Sequence, residues 1–249
     1  VLDQIKIVLV GITHPGNIGA AARAMKTMGL SQLVLVQPKQ FPCAEATARA
    51  TGADDVLAHA RLFDNFTASI QDCQLILGTS ARQRSIAWPI LTPRACAEQT
   101  LAIPNSKVAI VFGREHSGLT NQELDQCHAM VQIPTNQSFG SLNVAAAVQI
   151  IAYELRMKSE ELQITTEGNL KKKSLTARVI PASAAAMAQF YQHLEQTLID
   201  IGFLDPLKPR RLMRRLHRLF NRTQLIDSEV NILRGILTAA QEQCRRHKN

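Results

Sequence analysis

The sequence predicts an α/β domain, a mostly parallel sheet with helices on both faces, followed by a small all-helical extension. Three observations predict it. Short, continuously apolar runs alternate with helix-forming stretches over residues 1–157, the pattern of strands buried on both faces of a sheet. The composition changes after Met157. The charge is divided unevenly: residues 1–157 carry 12 Lys+Arg against 11 Asp+Glu, whereas residues 158–249 carry 16 against 9, so nearly all of the net +8 sits in the last third.

Ile5–Val10 reads as a buried strand that stops at Gly11. A helix is expected over 18–28, with Asn17 at the N-cap and Gly29 at its end. Further strands are expected at Leu33–Val36, Leu75–Leu77, Val108–Phe112 and Met130–Ile133, with helices near 44–50, 64–71, 93–99 and 121–127. Leu142–Met157 reads as a helix that is apolar on almost every side, suited to the core or to a subunit contact. Residues 158–181, weak in apolar periodicity, read as a linker between an α/β unit (1–157) and a helical unit (182–249). Three helices are expected in that unit, near 182–201, 208–221 and 227–246. On the middle one, Arg211, Arg214, Arg215, Arg218 and Arg222 fall within about 100° of arc. Such a face suits the phosphates of a nucleic acid.

Other classes are disfavoured. No apolar run approaches the roughly 20 residues that span a bilayer, and no basic segment leads into a long apolar one near the start. A cytoplasmic protein is expected. The five cysteines are scattered, with no Cys-x-x-Cys pair, and read as reduced thiols; neither they nor the histidines have metal-ligand spacing, so no metal is expected. Gly11-Ile-Thr-His-Pro-Gly16-Asn lacks the Lys-Ser/Thr of a P-loop and the spacing of a dinucleotide fingerprint. Neither Gly78-Thr-Ser-Ala-Arg82 nor Gly113-Arg-Glu-His-Ser-Gly118 forms the Gly-x-Ser-x-Gly elbow of a serine hydrolase.

In parallel sheets, ligands bind beyond the carboxyl ends of the strands. The loops at 11–17, 78–84, 113–118 and 134–141 fall there. Three segments stand out: Asn17-Ile-Gly-Ala-Ala-Ala-Arg23, Phe112-Gly-Arg-Glu-His-Ser-Gly-Leu119 and Ser141-Leu-Asn-Val-Ala-Ala-Ala147. Together they resemble the three motifs of the SPOUT RNA methyltransferases, in the TrmH-like 2'-O branch, over roughly residues 1–157. Gly78-Thr-Ser-Ala-Arg-Gln-Arg84, the basic tail and Asn231-Ile-Leu-Arg-Gly-Ile-Leu237 resemble a bacterial group that methylates cytidine or uridine at position 32 of the tRNA anticodon loop.

The resemblance implies a deep trefoil knot in the C-terminal part of the α/β domain, S-adenosylmethionine bound in the knot, S-adenosylhomocysteine as product, and a homodimer formed through the knotted domain. It assigns Thr79, Ser80, Ala81, Gly113, Ile133, Gly140, Ser141 and Leu142 to the cofactor. It assigns Arg23, Asn17, Glu115, Ser141 and Asn143 to the catalytic site. A guanidinium is not deprotonated in proteins, so Arg23 is read as holding the substrate and stabilising a developing alkoxide rather than as a base. Arg82, Arg84, Arg114 and Ser138, with Arg211, Arg214, Arg215 and Arg218 of the tail, are read as RNA contacts. Alternatives are methylation of ribosomal RNA and a non-catalytic RNA-binding protein that retains the fold.

Overall fold

The computed structural model describes residues 2–81, 89–103, 105–136, 138–168, 180–208 and 211–248. Arg82, Arg84 and residues 169–179 of the expected linker lie outside them. The strands are β1 (Ile5–Val10), β2 (Gln32–Val36), β3 (Arg61–Phe63), β4 (Leu75–Thr79), β5 (Ile90–Leu91), β6 (Val108–Phe112) and β7 (Ala129–Val131). They form one seven-stranded sheet in the order β3-β2-β1-β6-β4-β7-β5, and every pairing is parallel. The helices of this part are α1 (Pro15–Thr27), α2 (Ala44–Ala50), α3 (Asp54–Ala58), α4 (Phe66–Ile70), α5 (Pro93–Ala102), α6 (Asn121–Leu124) and α7 (Val144–Gly168).

Both faces of the sheet are covered. Ile5, Ile7 and Leu9 of β1 enter one core with α1, α5 and α7; Val8 and Val10 enter the other, with residues of α4 and α6. This is the period-2 alternation of a strand applied to two apolar layers. Lys6 takes one of these inward positions and is only 2% exposed. Its ammonium pairs with Asp72, whose other oxygen pairs with Lys107 at 3.1 Å.

Several boundaries differ from the sequence reading. α1 starts earlier, with His14 at the N-cap position and Pro15 in its first turn. Proline is preorganised for that place because its missing N–H is not needed there. Asn17 therefore sits inside the helix and not at its cap. β7 ends at Val131 rather than Ile133. The elements α3, β3 and β5, absent from the sequence reading, are short. α7 runs through Met157 to Gly168, so the expected linker does not begin at 158. Its polar composition is that of a solvated helix surface. Arg156–Glu160, Lys158–Glu161 and Arg94–Glu161 pairs tie that stretch together and to α5.

The tail consists of α8 (Ala184–Asp200), α9 (Leu212–Thr223) and α10 (Asp227–Lys248). Met187, Phe190, Tyr191 and Leu194 of α8 pack with Val230 in a third core. Phe190 meets Phe220 edge-on at 5.0 Å, and Tyr191 stacks on His217 at 3.8 Å. The tail is docked on the α/β part: Ala184 N–H donates to Cys73 O (2.9 Å) and Ala185 N–H to Gln71 O (3.1 Å). The buried Asn221 amide donates to the carbonyls of Asp125 (3.4 Å) and Cys127 (3.3 Å).

Candidate active site

The loops leaving β1, β4, β6 and β7 converge at the carboxyl edge of the sheet, where strand order reverses around β1 and β6. Those after β4, β6 and β7 line a cavity of about 360 Å³, within the size range of small-molecule sites. Every residue assigned to the cofactor lines it: Thr79, Ser80 and Ala81 after β4, Gly113 after β6, and Ile133, Gly140, Ser141 and Leu142 after β7. The wall is built from residues at and beyond the strand ends. Thr79 is fixed by a hydrogen bond from its hydroxyl to Val111 O (3.0 Å), and Ser80 N–H donates to Val131 O (3.1 Å). Gly113 is required by the loop itself. A Cβ there would lie 2.2 Å from the carbonyl carbon of Gly118 and 2.3 Å from Leu119 N, because the chain returns on itself through the Arg114–Gly118 bridge.

Three distant motifs are joined by one run of hydrogen bonds. Asn143 accepts from Ala145 N–H (2.8 Å), capping α7, and its amide donates to Asn17 Oδ1 (2.8 Å). The Asn17 amide donates to Glu115 Oε1 (2.9 Å). The Glu115 carboxylate also accepts from the Thr13 N–H (3.1 Å), the Thr13 hydroxyl (2.9 Å) and the His14 N–H (3.1 Å). Burial alone pushes the Glu115 pKa up, but the hydrogen bonds from Asn17 and the surrounding backbone N–H groups outweigh it and hold the pKa down at about 2. Glu115 is therefore an ionised clamp at neutral pH and not a proton acceptor. Glu115→Ala is expected to leave the Thr13, His14 and Asn17 donors unpaired, lowering turnover about a hundredfold through lost alignment and stability by about 2 kcal/mol. Single-turnover kinetics and thermal melts check this.

The remaining assigned residues divide. Glu115 and Ser141 line the cavity, and Asn17 and Asn143 are bonded to its wall. Arg23 does not line it: it lies on an exposed part of α1, and its guanidinium has no hydrogen bond or ion pair among the described residues. Ser138 is exposed in the loop after β7, folded onto Asn136 Oδ1 through its N–H (2.9 Å) and hydroxyl (2.8 Å). Arg114 lines the cavity and pairs with Glu123. Of the tail arginines, Arg211 and Arg215 are exposed and Arg218 is half-buried. Arg214 is bound to Asp125 through Nε (2.6 Å) and Nη2 (3.0 Å), so its guanidinium docks α9 onto the α/β part.

The sequence reading missed Thr13, Glu123 and Asp125. Only Glu123 carried a local signal, the Thr120-x-x-Glu123 spacing of a capping box. Cys127 and His128 are packing residues: burial pushes the His128 pKa down to about 4, and its Nδ1 accepts from Ile76 N–H (3.1 Å). Among the described residues no group of three or more His, Cys, Asp or Glu is placed to hold a metal ion, and no helix is long and apolar enough to cross a membrane.

The SpoU rRNA Methylase family profile matches residues 4–153, and the C-terminal domain of the tRNA methyltransferase TrmJ matches residues 185–249. The tRNA (cytidine/uridine/adenosine-2'-O-)-methyltransferase TrmJ of Pseudomonas aeruginosa (strain UCBPP-PA14) is 51% identical over 256 residues, covering 98% of this chain and 96% of its own. The crystal structure of TrmJ from Z. mobilis ZM4 aligns with a TM-score of 0.80 at 31% identity, over 94% of this chain and 97% of that one. The SpoU methyltransferase AviRb from Streptomyces viridochromogenes, solved in complex with the cofactor AdoMet, shares the fold at a TM-score of 0.50 and 19% identity, over 63% of this chain and 60% of that one. The first profile spans more than half of the residues and the TrmJ sequence runs nearly the full length, so the chain belongs to the SpoU rRNA Methylase family and ends in a TrmJ-type C-terminal domain.

Proposed function

We propose that this chain methylates a ribose 2'-hydroxyl of tRNA, using S-adenosylmethionine and acting on cytidine or uridine at position 32 of the anticodon loop. The observation that carries the reading is the Asn143–Asn17–Glu115 run, which binds the three motifs around one cavity. The residues present fit the donor. Main-chain groups at strand ends suit adenine and the methionine moiety, and Gly113 and Gly140 leave the wall without side chains. When bound, S-adenosylmethionine supplies an electrophilic methyl group and leaves as S-adenosylhomocysteine.

The protein's own part is positioning and electrostatics. Glu115 and Asn143 fix Asn17, and with it the first turns of α1. Arg23, further along α1, has a guanidinium with no partner among the described residues and offers it to the substrate phosphate or to the 2'-oxygen as it loses its proton. The proton goes to water or to a phosphate oxygen. The reading includes the trefoil knot, a cytoplasmic homodimer through the knotted domain, and Tyr153, half-exposed on α7, on the surface available to that contact. RNA is gripped by Ser138 and Arg114 near the cavity and by Arg211, Arg215 and Arg218 on the tail.

Incubation with labelled S-adenosylmethionine and unmodified tRNA, followed by mapping of 2'-O-methyl groups, tests this. Modification at position 32 is expected. Modification elsewhere in tRNA discards the position. Transfer only to ribosomal RNA, the substrate class in the family's name, discards tRNA. Donor binding without transfer to any RNA favours a non-catalytic protein. Reversing the tail charge with Arg215→Glu and Arg218→Glu together is expected to raise KM for tRNA at least tenfold and flatten its salt dependence. Donor affinity, measured by calorimetry, stays unchanged.

A further inference from the structure

Arg114 is held far more firmly than a surface arginine. Its main chain is pinned by the reciprocal bonds with Gly118, 3.3 Å and 2.9 Å. Its Nη1 and Nη2 lie 3.1 Å from the Glu123 carboxylate. That carboxylate is 11% exposed and is itself fixed, accepting from Thr120 N–H at 2.7 Å while the Thr120 hydroxyl accepts from Glu123 N–H at 3.2 Å. On its other side the arginine shaft passes over Gly11, where a Cβ would lie 2.9 Å from Cγ and 2.8 Å from Nε. The side chain is thus held between the end of β1 and the first turn of α6, at the wall of the donor cavity.

Glu123 uses one edge of the guanidinium. Nε has no hydrogen bond among the described residues, and the side chain remains 30% exposed while Gly11, lacking a Cβ, makes room for its shaft. A guanidinium has five N–H donors in a rigid fork that suits two oxygens of one oxyanion. Holding a long side chain in advance also removes the rotamer entropy that binding otherwise loses.

We infer that Glu123 is a positioning residue: together with Gly11 it presents the Nε edge of Arg114 to an oxyanion at the mouth of the donor cavity. This rests on the methyl-transfer reading above. Two sources carry that chemistry, a phosphate of the RNA strand bearing the target ribose and the carboxylate of the donor.

The variant that tests it is Glu123→Gln. Glutamine at this place keeps the capping box and the volume but removes the charge that holds Arg114. With a phosphate as ligand, KM for tRNA rises about tenfold and Kd for S-adenosylhomocysteine is unchanged. With the donor carboxylate as ligand, that Kd rises about tenfold and KM for tRNA is unchanged. Either result supports the inference and names the source. In both cases Arg114→Met combined with Glu123→Gln is no worse than Arg114→Met alone, because Glu123 acts through Arg114. A lowered Tm with both constants unmoved, or additive losses in the double variant, overturns it. A wild-type protein that transfers no methyl group to any RNA overturns the functional reading and this inference together, whereas an active wild type matched by Glu123→Gln overturns the inference alone.

Discussion

Replacing Arg23 with alanine is expected to reduce methyl transfer by about a thousandfold, the scale on which enzymes lose rate when a single preorganised electrostatic group is removed. Donor binding is expected to be unchanged. The geometry gives both halves of this result. Arg23 is exposed on α1, outside the lining of the cavity proposed to hold the donor, so no contact to the donor is lost. Its guanidinium has no hydrogen bond or ion pair among the described residues, so no buried partner is left behind and the fold tolerates the change. Its charge is available to a group that arrives from outside. Single-turnover rates together with calorimetric titration of S-adenosylhomocysteine check it; equal losses in turnover and in donor affinity would place Arg23 in the donor site instead.

Asp72→Asn is expected to destabilise the protein by about 3–5 kcal/mol, lowering Tm by roughly 10 °C for a chain of this size. The large effect comes from what remains. Lys6 is 2% exposed within β1, and without the carboxylate its ammonium is buried with no counter-charge. Lys6→Met is expected to be close to neutral, because Asp72 is a third exposed and keeps Lys107, and a buried charge has been replaced by an apolar chain. Asp72 also carries a pH signature. Burial pushes its pKa up, but Lys6 and then Lys107 outweigh burial and hold it at about 2, below the ordinary 3.8. A depressed folded-state pKa means that the stabilisation is complete above about 4 and is lost as pH falls toward 2. Thermal melts across that window should show an acid-dependent loss in the wild type that is smaller in Lys6→Met.

The sequence made legible what short-range pattern controls. β1, β2, β4 and β6 were readable as continuous apolar runs because both of their faces are buried. β3 and β5, three and two residues long, are strands only because β2 and β7 lie beside them, and nothing in Arg61-Leu-Phe63 or Ile90-Leu91 announces that. The loops that the family resemblance assigned to a cofactor all line one cavity. The work done by Glu115 was not readable, since its partners lie about a hundred residues upstream. The tail shows the same limit. Helical projection puts Arg214 and Arg215 on one basic face, but the carboxylate of Asp125, eighty-nine positions away, takes Arg214 and leaves Arg215 in solvent.

Those sequence separations govern how the enzyme is made. The bonds that hold the site span 98 residues from Asn17 to Glu115, 102 from Thr13 to Glu115 and 126 from Asn17 to Asn143. No short contiguous piece of chain contains both ends of any of these bonds, and a polypeptide emerging during synthesis lacks the complete clamp until residue 143 has joined α1. The α1 segment must wait, folded or not, for carboxylate and amide partners made much later, and closing such long loops is slow. Half-made molecules therefore lack the complete clamp, and methyl transfer belongs only to chains whose sheet has closed.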